Sequence, residues 1–188
     1  CGTGTWLAVF KDKGIADIRG FDGDYVPRDE LRIEASEFVA ADLTQPLDAG
    51  RRFDLAVSLE VGEHLPESAA ETYIKSLVKA SPIVAFSAAI PLQGGTGHIN
   101  EQWPTFWAER FEKEGYVAVD AVRPRIWEDD RVAWWYRQNL ILFVDRNEIQ
   151  RWPQLAVERE ATWGSRAELQ SRDRPRAYGV PRDIPRFP

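Results

Sequence analysis

Residues 1–6 read Cys-Gly-Thr-Gly-Thr-Trp, and residues 18–24 read Ile-Arg-Gly-Phe-Asp-Gly-Asp. A glycine turn that leads into a helix, followed about 20 residues later by a carboxylate, is typical of an α/β sheet that binds an adenosine-containing ligand. The glycines let the backbone approach the ligand, and the carboxylate can accept hydrogen bonds from a ribose diol. A lone G-x-G is more often a flexible surface turn, so the rest of the chain has to decide between the two.

Acidic residues also close the later apolar runs. Residues 37–43 read EFVAADL, and residues 52–65 read RFDLAVSLEVGEHL. Short β-branched runs that end in an acid are typical of buried parallel strands whose carboxyl ends face a ligand crevice. With CGTG and FDGD, these motifs resemble a class I S-adenosylmethionine-dependent methyltransferase of the small-molecule type. The resemblance covers roughly the first 145 residues.

The resemblance implies both a fold and a donor site. The fold is α/β, a Rossmann-like doubly wound and mostly parallel sheet whose last strand is antiparallel. The cofactor is S-adenosylmethionine, and S-adenosylhomocysteine is the product. The residues expected to bind the cofactor are Cys1, Gly2, Gly4, Asp22, Gly23, Asp42, Leu43 and Glu60.

A dinucleotide dehydrogenase is the main competing interpretation, because it uses the same sheet and the same first turn. Its fingerprint needs a third glycine three positions after the second, and that position here is Leu7. The methyltransferase pattern asks for a second acid that meets the adenine amino group, and Asp42 lies twenty residues after Asp22. The methyltransferase interpretation is therefore favoured.

One element of the resembled family has no counterpart in the chain. The family's first strand, an apolar run ending in Asp or Glu, would precede Cys1. Leaving out a central parallel strand exposes backbone groups of its neighbours, which are costly to leave unpaired. The chain also contains no Met. We therefore expect a truncated or partly represented protein whose first strand is missing from this sequence.

Local patterns predict the remaining elements. Residues 6–13 favour a helix ended by Gly14, and Pro66 opens a second helix with one apolar stripe. Three later runs, residues 83–87, 116–120 and 140–144, favour the fifth strand and the closing pair of the sheet.

Composition limits the class of protein. The chain has 188 residues, of which 44% are hydrophobic and 29% charged, and these values are typical of a compact globular domain. A single Cys rules out an intramolecular disulfide, and no apolar run reaches the roughly 20 residues of a membrane span. We expect a cytoplasmic protein that does not bind a membrane.

The net charge is −6, whereas nucleic-acid-binding proteins present a basic face. A small-molecule acceptor is the expected partner, nucleic acid is not, and a homodimer is compatible with the sequence.

The charge changes sign near residue 150. Residues 151–188 contain eight Arg against five acidic residues, and four of the last fourteen residues are Pro. We expect a methyltransferase domain at residues 1–150 and an Arg/Pro-rich C-terminal extension at residues 151–188, with the extension forming an extended strap or arm.

The acceptor site is expected in the loop that follows residues 83–87. Residues 93–103 concentrate three Gly, one His, one Trp and several amide and acid side chains. His98 is the candidate base that takes a hydroxyl proton, and Glu101 or Asn100 would fix its tautomer. The alternative is that His98 only shapes the loop through Glu101. His64, Asn100 and Trp103 are the candidate substrate-binding residues, and His64 is the one most suited to an orienting role.

The spacing of Glu60, Glu63, His64 and His98 resembles no defined metal-ligand set, so the sequence predicts no metal site. The predicted function is methyl transfer from S-adenosylmethionine to a small molecule, most readily at a hydroxyl oxygen of a sugar or another hydroxylated metabolite. The alternative is a nucleotide-binding or scaffolding module that has the same sheet and no turnover.

Overall fold

The computed structural model describes residues 1–162. Within this range the helices and strands follow one another in the order α1 (Thr5–Asp12), β1 (Gly20–Asp22), β2 (Phe38–Ala40), β3 (Ala56–Leu59), α2 (Ala70–Ala80), β4 (Ile83–Ser87), α3 (Pro104–Lys113), β5 (Tyr116–Val119), α4 (Arg123–Ile126), α5 (Trp134–Asn139), β6 (Ile141–Asp145) and α6 (Pro153–Thr162). Short 3-10 turns lie between them, at Arg28–Glu30, Ala35–Glu37, Gly62–His64, Glu67–Ala69 and Ile149–Arg151.

The strands form two sheets. β1 pairs with β2 in parallel, and the second sheet has the order β3-β4-β6-β5. β3 and β4 are parallel, with Leu59 opposite Ser87. β6 lies antiparallel between β4 and β5. The predicted α/β architecture with an antiparallel last strand is confirmed. Within residues 1–162, β1 and β3 each pair with a strand on one side only.

Aromatic side chains dominate the core of the larger sheet. Phe111 of α3 stacks on Phe143 of β6 with ring centroids 3.9 Å apart, and Phe86 of β4 meets both rings edge-on. Each such pair typically contributes about 0.5–1.5 kcal/mol beyond the area it buries. Helix α2 covers the same core with Tyr73 and Ile74, which are 5% and 1% exposed. This packing fixes the strand ends that carry the site.

The predicted helices and strands occur with small shifts of their ends. The first helix runs from Thr5 to Asp12. The second begins as a 3-10 turn at Glu67–Ala69 and becomes α-helical at Ala70. The strand predicted at residues 83–87 has these bounds in the structure, and the two predicted after it differ by one residue at their ends.

The structure also describes the start of the predicted C-terminal extension. Residues 153–162 form helix α6, and Leu155 and Ala156 pack with Trp152 against a second core of Val119, Val144 and Ile149. This stretch is therefore not the extended strap that its composition suggested, because its apolar side chains recur at helical spacing. The remaining Arg/Pro-rich residues, 163–188, lie outside the described range. None of the helices in residues 1–162 has the length and apolarity that crossing a membrane requires.

Candidate active site

The glycine turn and the end of β1 form one part of the site, which we call the donor edge (Cys1, Gly2, Gly4, Asp22 and Gly23). Gly2 and Gly4 have φ angles of 53° and 83°, in the left-handed region that glycine adopts without strain. Gly4 then precedes the first residue of α1. The turn thereby brings main-chain nitrogens next to the last residue of β1.

Asp22 is the centre of the donor edge. Its Oδ2 accepts hydrogen bonds from the Cys1 nitrogen and from the Gly2 N–H, the second at 2.6 Å. Its Oδ1 accepts from the Gly23 N–H at 2.8 Å and from the Tyr25 hydroxyl at 2.6 Å. Burial raises the pKa of Asp22, but these donors outweigh it and lower the pKa to about 2. The carboxylate is therefore ionised, with all four of its usual acceptor positions occupied.

Asp42 and Leu43 follow β2. The Asp42 carboxylate is exposed, and its Oδ1 accepts from the Thr44 hydroxyl at 2.7 Å and from the Thr44 N–H at 2.9 Å. These hydrogen bonds lower its pKa. Leu43 packs against the main core. Asp42 therefore presents an ionised, locally fixed carboxylate to solvent.

Glu60 follows the last residue of β3 in a strained conformation. Its φ is 53°, a region that non-glycine residues rarely occupy, at a typical cost of about 1–3 kcal/mol. Its N–H is held by the backbone oxygen and the hydroxyl of Ser87, at 3.0 and 3.1 Å. Its Oε2 accepts from Gln93 at 3.0 Å, and Gln93 Oε1 in turn accepts from Asn139 at 2.9 Å. Glu60 Oε1 is buried and has no hydrogen-bond partner.

Glu63 is the most unusual group of the site. Its side chain is 0% exposed, and neither carboxylate oxygen has a hydrogen-bond partner among residues 1–162. Burial, with a smaller contribution from the neighbouring Glu60 carboxylate, raises the pKa of Glu63 to about 8. The nearby backbone N–H groups of Glu63 and Ala89 offset part of this increase. A buried carboxylate without a donor is costly, so this one needs a proton or a positive charge beside it.

Two histidines lie next to Glu63. The His64 and His98 rings meet edge to face with centroids 5.0 Å apart. His64 Nδ1 lies 3.2 Å from the Gly97 carbonyl oxygen, and His98 Nδ1 lies 3.0 Å from Glu101 Oε1. Since a carbonyl and an ionised carboxylate can only accept, each Nδ1 carries the hydrogen. In the neutral form of each ring the lone pair is therefore on Nε2.

Glu101 organises the loop that follows β4. Its carboxylate accepts from the Leu92 and Gly94 N–H groups, each at 2.8 Å, as well as from His98. Burial raises the pKa of Glu101, but these hydrogen bonds outweigh it and lower the pKa. The loop is also tied to Glu63, whose carbonyl oxygen accepts from the Ile99 and Asn100 N–H groups at 2.9 and 3.0 Å.

Glu63, His64 and His98 form a compact cluster. Each offers one ligand atom that lies within 4.8 Å of the other two. Glu63 is buried, His98 is half-buried and His64 is exposed, so the cluster extends from the interior to solvent. Burial raises the pKa of Tyr73, and the charges of Asp22 and Glu63 raise it as well, so both carboxylates lie within electrostatic range of this side chain.

The structure brings together several residues of the predicted site. Asp22, Gly2 and Gly23 meet at one edge, and His98 meets Glu101 and His64 at the next. Asn100 is 4% exposed, with an unpartnered Nδ2, and Trp103 is half-buried directly before α3. The roles assigned to these residues in donor binding and catalysis remain predictions.

Sequence reasoning gave no role to Glu63, Tyr25 or Gln93. Glu60 and Glu63 are three residues apart at a 3-10 turn, where side chains at this spacing lie on one side. The E-x-x-E-H spacing after a strand was the signal that could have identified Glu63. Neither Tyr25 nor Gln93 carried a comparable signal, because both act through loop conformation.

Comparisons with known proteins concern the family and the fold of the chain. A family model described as a methyltransferase domain matches residues 1–158. No curated protein matches the chain. Among solved structures, the methyltransferase domain of bacterial CtHen1 is 22% identical over 77% of this chain and 85% of that chain, with a TM-score of 0.51. LepI in complex with S-adenosylmethionine is 12% identical over 76% of this chain and 40% of that chain, with a TM-score of 0.52. At these identities the likeness to solved structures concerns the fold.

Proposed function

Because this chain belongs to the methyltransferase domain family and uses S-adenosylmethionine as methyl donor, we propose that it methylates a hydroxyl oxygen of a small molecule, a sugar or another hydroxylated metabolite. In this reaction the acceptor oxygen forms a bond to the methyl carbon. The carbon–sulfur bond breaks, and its electron pair stays on sulfur to give S-adenosylhomocysteine. The hydroxyl proton leaves.

The buried acceptor atoms beside the donor edge carry the proposal. Within the described part of the chain, Glu60 Oε1 and both carboxylate oxygens of Glu63 have no donor, and the neutral rings of His64 and His98 would each offer an acceptor at Nε2. A hydroxyl can donate its hydrogen to such a surface, and it gives up this proton when it is methylated. Methyl transfer itself mainly requires alignment, so removal of the proton is the step left for these groups.

The donor half of the proposal rests on Asp22 and Asp42. Asp22 is buried and ionised at the end of β1, as a carboxylate that accepts ribose hydroxyls must be. Asp42 is ionised and exposed after β2, where it can accept from the adenine amino group. Asn100 and Trp103 border the loop over the cluster and are our candidates for acceptor contacts.

The test is a transfer assay with methyl-labelled S-adenosylmethionine and a panel of sugars, phenols, carboxylic acids and amines. We expect label in hydroxylated acceptors, with the new methyl signal of an O-methyl ether by NMR. Label in the amines alone would reject the hydroxyl proposal. Tight S-adenosylhomocysteine binding with no transfer to any acceptor would instead support a binding module without turnover.

A further inference from the structure

We propose that Glu63, His64 and His98 bind a divalent transition-metal cation that holds the acceptor hydroxyl, and that Glu60 adds a further ligand through its buried, unpartnered Oε1. The site itself follows from these side chains alone, and its role in catalysis rests on the proposed methyl transfer to oxygen. Sequence spacing predicted no such site, because its ligands come from a short turn after β3 and from a loop more than thirty residues later.

The distances fit one ion. Nitrogen and oxygen ligands lie about 2.0–2.2 Å from a transition-metal ion, so two ligands on opposite sides are at most about 4.4 Å apart. The candidate atoms of Glu63, His64 and His98 lie within 4.8 Å of one another. Small side-chain rotations therefore suffice to bring all three onto a single cation.

The histidines are set for ligation. His98 donates from Nδ1 to Glu101, and His64 donates from Nδ1 to the Gly97 carbonyl. A metal-bound histidine characteristically donates its other ring N–H to a carboxylate or a carbonyl, which fixes the tautomer and the ring plane. Gly95 keeps the Nε2 edge of His98 clear, because a Cβ at this position would lie 2.3 Å from Nε2.

The carboxylates need a positive charge. Glu63 is fully buried with two unpartnered oxygens, and Glu60 adds a third. Within residues 1–162 no Lys or Arg hydrogen-bonds to either carboxylate. A divalent cation between them would balance two carboxylates and satisfy the orphaned oxygens at once. A base at His98 alone would leave Glu63 without a partner.

Supporting residues hold the carboxylate ligands. Gln93 donates to Glu60 Oε2, and Asn139, the last residue of α5, donates to Gln93. The Glu63 backbone is held by the N–H groups of Ile99 and Asn100. Such outer partners orient ligands and typically change metal affinity 10–100-fold when removed.

The donor set points to the class of cation. Two imidazoles with two carboxylates suit Mn²⁺, Fe²⁺, Co²⁺ or Zn²⁺ better than Ca²⁺, which prefers oxygen ligands alone. His64 is exposed, so the cation is accessible from solvent and keeps positions for an outside ligand. An acceptor hydroxyl bound there loses its proton to water more readily, since a cation lowers the pKa of a bound O–H group. The metal is unchanged by the transfer, and no oxidant is needed.

The direct test is a titration of the chelator-treated protein with Mn²⁺. Binding is measured as the loss of the free Mn²⁺ signal in electron paramagnetic resonance. We expect one Mn²⁺ per chain, displaced by Zn²⁺. His98→Gln and His64→Gln should each weaken Mn²⁺ binding at least about 10-fold. His64 is exposed, so its variant keeps the fold even where that of His98 does not. Glu67→Gln is the matched control, because this exposed carboxylate lies just outside the cluster and should leave Mn²⁺ binding unchanged.

Two results overturn the metal site: no Mn²⁺ or Zn²⁺ binding by the wild type, or binding that both histidine variants retain. Calorimetry with S-adenosylhomocysteine in the presence of chelator separates this failure from that of the proposed function. If S-adenosylhomocysteine binds and no cation does, only the metal site is wrong. If Mn²⁺ binds, but S-adenosylhomocysteine does not bind and no methyl transfer is detected, the proposed function is wrong and the cation site stands.

Discussion

Asp22 and Glu63 are both buried carboxylates near strand ends, and their surroundings treat them in opposite ways. Asp22 accepts from the Cys1 amino group, two further backbone N–H groups and the Tyr25 hydroxyl, and its pKa is lowered to about 2. Glu63 accepts from no donor, and its pKa is raised to about 8. Burial raises the pKa in both cases, so hydrogen bonding decides the difference.

The donor edge and the cluster around Glu63 should therefore bind a ligand in different ways. The donor edge is complete without a ligand, so a ribose must exchange for a donor that is already bound. The cluster around Glu63 is incomplete, so a ligand there adds interactions without displacing any. Donor binding and proton removal should therefore fail independently when one of the two carboxylate regions is altered.

The largest effect is expected from the cluster. His98→Gln should lower turnover by about 10²–10⁴-fold, the usual contribution of assisted proton removal, while S-adenosylhomocysteine affinity stays near wild type. Steady-state kinetics and calorimetry measure the two quantities. Loss of Mn²⁺ binding in the same variant identifies His98 as a ligand, and retained binding identifies it as the base that the sequence suggested. A variant with nearly full activity would remove His98 from the chemistry altogether.

The donor edge should respond next, and in the opposite pattern. Asp22→Ala should weaken S-adenosylmethionine binding by about 1.5–3 kcal/mol, or roughly 10- to 100-fold, because hydrogen bonds to a charged group are lost. Mn²⁺ binding should not change. Asp42→Asn is the milder companion, since its amide oxygen still accepts from the adenine amino group. Equal losses in the two variants would contradict the assigned geometry, and so would an unchanged affinity in Asp22→Ala.

A pH series sharpens the contrast through stability. The pKa of Glu63 is raised from 4.5 to about 8 in the folded protein, so the folded state holds this proton more tightly than the unfolded state does. The resulting stability is fully present below about pH 4.5 and is lost as the pH rises through 8. In chelator, wild type and Glu63→Gln should melt together near pH 5, and wild type should melt lower at pH 8. Parallel melting curves across this range would show that Glu63 stays uncharged or finds a donor.

The smallest effect is expected at Tyr25. Its ring is 82% exposed, and its hydroxyl occupies an acceptor position of Asp22 that a ribose hydroxyl would use. Tyr25→Phe removes one neutral-donor hydrogen bond of about 0.5–1.5 kcal/mol, so S-adenosylmethionine should bind about 2- to 10-fold more tightly. Weaker binding, measured by the same calorimetry, would mean that the hydroxyl contacts the donor itself instead of competing with it.

Sequence reasoning found the fold because the fold is written in local patterns. Short apolar runs closed by Asp22, Asp42 and Glu60 predicted strands that end at a ligand edge, and the antiparallel β6 followed from the family resemblance. The helix at residues 153–162 was missed because Arg and Pro in the later tail dominated the composition of the whole segment. Propensity averaged over a segment hides a short amphipathic stretch.

The donor edge and the cluster around Glu63 also differed in how far the sequence predicted them. Asp22 was predictable because the glycine turn and its carboxylate have a characteristic spacing. Glu63 was overlooked, because the E-x-x-E-H spacing does not show by itself that this carboxylate is buried without a partner among residues 1–162. The contact of His98 with His64 likewise depends on a loop that Glu101 closes through backbone N–H groups, and such closure leaves no pattern in the sequence.

The left-handed backbone conformation of Glu60 lowers the stability of the fold, so selection for heat resistance should act against glutamate at this position. Glycine relieves such a conformation, and asparagine tolerates it better than glutamate does. A library screened only for survival at high temperature should therefore enrich Gly or Asn at position 60. Each enriched clone would lack a carboxylate beside Glu63, so under the proposed cation site the screen would select against metal binding while it rewarded stability. Glu60 is thus a position where evolution for function and evolution for durability pull apart.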